Sequence, residues 1–222
     1  MYQKVLLAED IDSINVAVSQ TLSQMGIVQI DHVHYCDDAL LKVKKALLDG
    51  VPYDLFICDL SFEQDHRVTL LQTGEEVISA VRLLQPELKV IVYSIEDKSF
   101  RLKSLFEKQQ INAFVHKGRN SIFQLKNALT HVLKEATPFI SPDLQHILKE
   151  QTIKEIDSFD VKLIQQLALG VSQDEMELKF KELGISPSSK SSIEKRISKL
   201  KDYFKATNTV HLIAIAKDLG IA

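Results

Sequence analysis

Apolar positions in the first 136 residues follow two alternating rhythms. Val5-Leu6-Leu7-Ala8 is a short unbroken apolar run, as a buried strand requires. Ile14, Val18, Leu22 and Met25 then recur every three or four residues, which predicts one face of a helix, with Asp12 or Ser13 as N-cap and Gly26 as its stop. Ile27–His34 predicts a second strand. Ala39, Leu40, Val43, Leu47 and Leu48 predict a second helix, capped by Asp37 or Asp38 and ended by Gly50. The alternation continues with a strand over Leu55–Asp59, a helix from about Gly74 to Leu84, and a strand over Lys89–Ser94. A helix over Lys98–Lys108, a strand over Asn112–Lys117 and a helix over Ser121–Lys134 complete it.

Repeated strand–helix units imply parallel strands joined by right-handed crossovers. Five such units predict an α/β fold, a flavodoxin-like doubly wound five-stranded parallel sheet of order 2-1-3-4-5. Residues 1–136 are assigned to this domain. The stretch A-T-P-F-I-S-P-D-L, with two prolines, opens a linker over 137–156. No strand pattern follows it. Helices are expected near Pro142–Lys149, Asp160–Leu169, Gln173–Leu183, Ser189–Phe204 and Thr209–Leu219, so that 157–222 forms a small all-α domain.

Composition adds constraints. Hydrophobic residues make up 45% of the chain, and no apolar run approaches the ~20 residues that span a bilayer. Glu9 and Asp10 fall where a secretion signal would need apolar residues. Cys36 and Cys58 lack metal-ligand spacing and lie in or beside apolar segments, as reduced thiols in a cytoplasmic protein do. The net charge is −3, yet Lys179–Lys205 carries eight basic residues against three acidic ones. Such a stretch can meet phosphates, or be a solvated helix face.

The run Tyr53–Leu60 poses the sharpest chemical question, because a buried strand ends on a carboxylate, Asp59. Ligands of a doubly wound sheet bind beyond the carboxyl ends of strands 1 and 3. Asp59 ends strand 3, and Glu9 and Asp10 end strand 1, so three carboxylates should converge on one mouth. Their mutual repulsion calls for a hard cation with oxygen ligands, Mg²⁺ above all. Ser94 ends strand 4 and Lys117 ends strand 5. A hydroxyl and an ammonium facing a metal-bound aspartate describe a pocket for a tetrahedral oxyanion, with Asp59 as the nucleophile on phosphorus. Taken singly, Glu9-Asp10 could be a helix lead-in, Ser94 a cap and Lys117 a surface lysine.

In this order of residues the first ~135 positions resemble the receiver domain of two-component response regulators. The resemblance implies that Asp59 is the phosphoacceptor, that Glu9, Asp10, Asp59 and the backbone carbonyl of Ser61 hold Mg²⁺, and that Ser94 and Lys117 contact the acyl phosphate. It further implies that Phe114 is the aromatic partner of Ser94 in a switch. One departure is the run L-S-F-E-Q-D-H-R-V-T-L-L-Q-T-G after the acceptor, longer than usual and without proline. It brings Glu63, Asp65, His66 and Arg67 close to the site, where they could alter phosphate lifetime or kinase choice, bind a metal, or form a solvated loop. Another is Lys117-Gly118, where many receivers carry Lys-Pro.

In the basic stretch, Ile193, Ile197 and Leu200 mark an inward helix face, and Ser189, Lys190, Ser191, Ser192, Lys195, Arg196 and Lys199 an outer one. Hydroxyl residues at a helix start followed by long cations suit entry into a major groove. The segments L-A-L-G-V-S-Q-D-E-M, G-I-S-P-S-S-K-S-S-I-E-K-R-I-S-K-L and T-V-H-L-I-A-I-A-K-D-L-G-I resemble the LuxR/NarL-type helix-turn-helix domain, with a longer turn region around Lys181–Gly184 and Pro187–Ser191. That resemblance implies double-stranded DNA as partner and pairing of two domains through the last helix, where Val210, Ile213, Ala214 and Lys217 recur; these residues could instead complete the domain's own core.

The expectation is therefore a cytoplasmic, phosphorylation-controlled transcription regulator, phosphorylated by a histidine kinase and homodimeric when phosphorylated. It would have no membrane contact and no turnover chemistry beyond slow loss of its own phosphoryl group. One alternative keeps the receiver but gives it a helical output that docks on protein. The other is a hydrolase with an aspartyl-phosphate intermediate, for which no second acid beside Asp59 and no cap domain is evident.

Overall fold

A computed structural model of the chain describes residues 2–63, 65–145 and 156–222. The chain divides into two compact units, Met1–Asp97 with Leu102–Ile147, and Lys98–Arg101 with Leu148–Ala222. In the first unit, strands β1 (Lys4–Ala8), β2 (Gln29–Val33), β3 (Leu55–Cys58), β4 (Lys89–Ser94), β5 (Ala113–His116) and β6 (Phe139–Ile140) form one sheet of order β2-β1-β3-β4-β5-β6. All neighbours pair in parallel. Helices α1 (Asp12–Gln24), α2 (Cys36–Leu48), α3 (Gly74–Leu84), α4 (Ser99–Glu107) and α5 (Ser121–Lys134) connect them. Strand residues alternate between two cores, as a period of two dictates. Leu6, Ala8, Phe56, Cys58, Val90, Val92 and Phe114 face the core shared with α2 and α3. Val5, Leu7, Leu55, Ile57, Ile91, Tyr93 and Val115 face the core shared with α1 and α5.

Four local expectations are corrected. The sheet has a sixth strand, and it lies in the segment assigned to the linker. Phe139 N–H donates to the Asn112 carbonyl and Ser141 N–H to that of Phe114, each at 3.0 Å, which pairs the otherwise open edge of β5. A 3₁₀ turn, Pro142–Leu144, replaces the start of the helix expected over Pro142–Lys149, and residues 146–155 lie outside the described ones. The N-cap of α1 is Ile11, with Asp12 already in its first turn. The N-cap of α2 is Tyr35, and the Asp37 carboxylate accepts instead from the N–H groups of Leu70 and Leu71 (2.8 and 2.9 Å). Helix α3 has a full capping box, with Thr73 bonded to Glu76 N–H and the Glu76 side chain to Thr73 N–H.

The second unit contains α6 (Ser158–Ala168), α7 (Met176–Glu182), α8 (Lys190–Phe204) and α9 (Thr209–Asp218). Its core comprises Leu163, Ile164, Leu167, Met176, Phe180, Ile193, Ile197, Leu200, Leu212 and Ala216. These residues are spaced by three and four on each helix, so each contributes one apolar stripe. Helix α7 begins three residues later than expected, after a turn in which Ser172 and Glu175 bond each other.

Candidate functional site

The sheet's register brings the predicted residues to one edge. Asp59 follows β3 directly, and its N–H donates to the Ala8 carbonyl at 3.0 Å. Glu9 N–H donates to the Val33 carbonyl at 3.0 Å, and Lys117 N–H to that of Ser94 at 2.8 Å. Strands β1 to β5 therefore end in step, and their next residues share one mouth.

Lys117 spans that mouth. Its Nζ lies 2.6 Å from Asp59 Oδ2 and 2.7 Å from Glu9 Oε2. Glu9 is 1% exposed and Asp59 5%, while Asp10 is half-buried. Burial pushes the Glu9 carboxyl above the usual range, although the Lys117 ammonium pulls it back. Burial drags the Lys117 ammonium down, but hydrogen bonds to Asp59 and Glu9 outweigh it and hold its pKa above the ordinary value. The lysine is thus a fixed positive charge at neutral pH.

One carboxylate oxygen from each of Glu9, Asp10 and Asp59 lies within 4.8 Å of the others, and no other such group of acids, histidines or cysteines occurs among the described residues. One ammonium cannot balance three carboxylates, so the donor set fits a hard divalent cation bound through oxygen. Ser94 Oγ is fully buried and has no hydrogen-bond partner, the arrangement of a hydroxyl kept for a further acceptor. Ser61 forms an antiparallel bridge with Thr73, which fixes the backbone whose carbonyl was expected at the metal. Phe114 is fully buried on β5, in the same core as Leu102 and Leu105.

Two residues at the site were not anticipated. A Cβ on Gly74 would stand 2.0 Å from the Asp59 carbonyl oxygen and 2.7 Å from Leu60 Cα, so only glycine lets α3 approach the acceptor's backbone. A glycine in a first helical turn is the signal that could have revealed it. Asn15, 3% exposed, donates from Nδ2 to the Glu9 carbonyl at 2.8 Å. It lies three residues before Val18, as a polar interruption of the apolar stripe.

The loop acids do not gather into a metal site. Asp65 accepts from Tyr35 Oη at 2.5 Å, Arg67 pairs with Asp38, and Glu63 N–H donates to Asp10 Oδ2 at 2.7 Å.

On α8, Ser191, Lys195 and Lys199 are exposed at spacings of four, one stripe on the outer face. Ser189 is the N-cap, its Oγ bonded to that of Ser192 (2.8 Å), which is half-buried. Lys190 is exposed but paired with Asp174 at 2.6 Å. Arg196 departs from the expectation. Its Nη2 bonds Asp160 Oδ2 at 2.5 Å and Asp157 Oδ2 at 2.7 Å, and its Nε bonds Asp160 Oδ1. Asp160 is fully buried, so Arg196 holds the start of α6 instead of presenting its charge outward. On α9, Val210 is 76% exposed, and Ala214 and Lys217 are exposed; Ile213 packs partly on the core.

The whole chain compares closely with solved structures. RcsB from Salmonella enterica serovar Typhimurium, bound to promoter rprA with the phosphomimetic BeF3⁻, aligns over 98% of this chain and 99% of its own at 17% identity, with a TM-score of 0.63. The fold is that of a two-domain response regulator. Two RcsB dimers bound to two parallel DNAs give a TM-score of 0.65 at 18% identity over 99% of this chain and 100% of that one. The isolated RcsB receiver domain from the same Salmonella serovar, with BeF3⁻, covers 66% of this chain and 99% of its own, at 19% identity and a TM-score of 0.52. No family profile and no curated protein sequence matches the chain. Among the described residues no helix is long and apolar enough to cross a membrane.

Proposed function

We propose that the chain is a cytoplasmic response regulator whose Asp59 accepts a phosphoryl group, and whose helical unit binds double-stranded DNA to regulate transcription. The observation that carries this reading is Lys117 bridging Asp59 and Glu9 at 2.6 and 2.7 Å beside the metal-competent cluster. Glu9, Asp10, Asp59 and the Ser61 carbonyl would hold Mg²⁺, which when bound offsets charge on the phosphoryl oxygens. An Asp59 carboxylate oxygen forms the new O–P bond as the P–N bond of a phosphohistidine in a histidine kinase, or the P–O bond of acetyl phosphate, breaks. Lys117, already at the carboxylate, moves its contact to a phosphoryl oxygen. Ser94 supplies its unpartnered hydroxyl to another. Accepting the phosphoryl group is not turnover, so the protein acts as a switch and not as a hydrolase.

Ser94 and Phe114 then couple the site to the sheet's far edge. Ser94 opposes His116 in the β4–β5 pairing, and Phe114 opposes Ile140 of β6, the strand leading out of the first unit. A change at Ser94 reaches β6 through these pairs. Ser189, Lys190, Ser191, Ser192, Lys195 and Lys199 form the DNA face, and the exposed Val210, Ala214 and Lys217 suit pairing of two copies. The similarity to RcsB bound to promoter DNA supports this output.

The deciding experiment treats wild type and Asp59→Asn with acetyl phosphate and Mg²⁺ and reads intact mass. One added phosphoryl group in the wild type alone is expected; equal labelling of both would move the nucleophile elsewhere. A gel shift on the gene's own upstream DNA must weaken as salt rises. Absence of any shift would leave a protein-docking output.

A further inference from the structure

The long excursion after Asp59 is closed at its base. Ser61 bridges Thr73, and Gly74 N–H donates to the Leu60 carbonyl at 3.0 Å. Between these points the chain is fastened to the start of α2. Arg67 forms a two-pronged pair with Asp38 (2.8 and 2.5 Å) while its guanidinium lies 4.4 Å over the Tyr35 ring. Tyr35 Oη donates to Asp65 Oδ2 at 2.5 Å, and Asp65 Oδ1 accepts from Arg67 N–H at 2.8 Å. Asp37 takes the N–H groups of Leu70 and Leu71. These contacts form a rigid frame, since a planar guanidinium held by a fork and a ring has little freedom.

Among the described residues the frame has one contact with the acidic mouth, Glu63 N–H to Asp10 Oδ2 at 2.7 Å. Asp10 is the least buried of the three clustered acids and so the one whose carboxylate has most room to turn. The loop engages one Asp10 oxygen, and a carboxylate has a second with which to meet a cation. We propose that loop residues 62–63 and 65–72 position Asp10, with Arg67 as the residue that holds them in place. The inference rests on Glu9, Asp10 and Asp59 binding a divalent ion. It gives the extra chain length a function: a partner outside the ligand set fixes a ligand's orientation, and losing such a partner weakens metal binding by about tenfold or more.

The test uses the full-length chain and Mn²⁺, titrated by electron paramagnetic resonance, with Mg²⁺ as competitor. Arg67→Ala should weaken Mn²⁺ and Mg²⁺ by about tenfold while leaving the metal-free melting temperature nearly unchanged, because Arg67 and Asp38 are a surface pair. Arg67→Asp combined with Asp38→Arg should restore part of the affinity. In an Asp10→Asn background, Arg67→Ala should have no further effect. The Glu63 amide should exchange faster in Arg67→Ala than in wild type. An affinity indifferent to Arg67, or a loss that persists in Asp10→Asn, overturns the positioning role alone. A wild type that binds neither ion, or binds equally with Asp10→Asn, overturns the metal site and this inference with it.

Discussion

Arg196→Met separates a structural role from a DNA contact. The substitution keeps most of the apolar stem and removes the guanidinium. Asp160 is fully buried and would keep only the Asp157 N–H, at 3.0 Å, as donor; the charge-assisted bonds from Arg196 Nε and Nη2 would be gone. Breaking a buried pair from one side costs about 3–5 kcal/mol. The Arg196 side chain is 24% exposed and Asp157, its second partner, 59%, so solvent screening places the cost near the low end, about 3 kcal/mol. At 1.4 kcal/mol per decade that is roughly a hundredfold in the opening equilibrium. Hydrogen exchange by mass spectrometry on the full chain reads it directly, since opening free energies are local. Peptides over α6 and α8 should lose about a hundredfold in protection, and those over β1 and β3 none. Adding Asp160→Leu should recover much of the loss, because a buried pair replaced by apolar side chains is often neutral. Lys199→Met should do the reverse, leaving protection intact while the slope of log affinity against log salt shrinks by about one. Arg196→Met with wild-type protection and that same reduced slope would refute the argument and return Arg196 to the DNA face.

Three further outcomes follow from the site. Gly74→Ala should reduce acetyl phosphate labelling of Asp59 severely and lower the melting temperature by several degrees. Its Cβ would stand 2.0 Å from a backbone oxygen that cannot rotate away, and overpacking costs about 1–3 kcal/mol; intact mass and a thermal melt check both. Burial pushes the Cys36 thiol up to about 12 and that of Cys58 well above the usual range, so neither should react with a thiol reagent at pH 8 until the chain is denatured, when both should. In metal-free buffer the raised Glu9 pKa means that, from about 4.5 up to its folded value, the native state retains more of this proton than the unfolded state does. The Glu9 contribution to stability is complete below about 4.5 and is lost as pH rises through its elevated folded value. Glu9→Gln should flatten the melting profile on the neutral side of 4.5, and an unchanged slope would place the titrating group elsewhere.

The acidic mouth was legible because its residues are encoded by position along strands. A strand's carboxyl end can be found from its apolar run, and the doubly wound order then puts the ends of β1, β3, β4 and β5 together. Glu9, Asp59, Ser94 and Lys117 needed no knowledge of side-chain packing. The sixth strand was invisible for the opposite reason. Phe139-Ile140 is too short to show a period, and it forms a strand only because β5 offers an unpaired edge. Asp37 and Asp38 looked like helix caps, since short acids near a helix start usually are. Their carboxylates were taken by a loop some thirty residues later in the chain, a tertiary choice that local spacing cannot report.

Arg196 shows where the limit falls within a single helix. It stands three residues after Ile193 and one before Ile197, at the border of the buried stripe, so periodicity alone assigns it to neither face. The deciding information lay elsewhere, in D-S-F-D at 157–160. That run forms a capping box, in which Asp157 receives the Asp160 N–H and Asp160 receives the Asp157 N–H, each at 3.0 Å. The capping role draws both carboxylates to the helix start and buries one of them. A buried acid needs a cation, and the helix packed against it carries Arg196 at that height. Basic residues of α8 farther from the apolar stripe, Lys195 and Lys199, have no such neighbour to satisfy and stay exposed. Division of labour along this helix is therefore set by what α6 must neutralise, and a basic count of the segment overstates the charge that α8 presents outward.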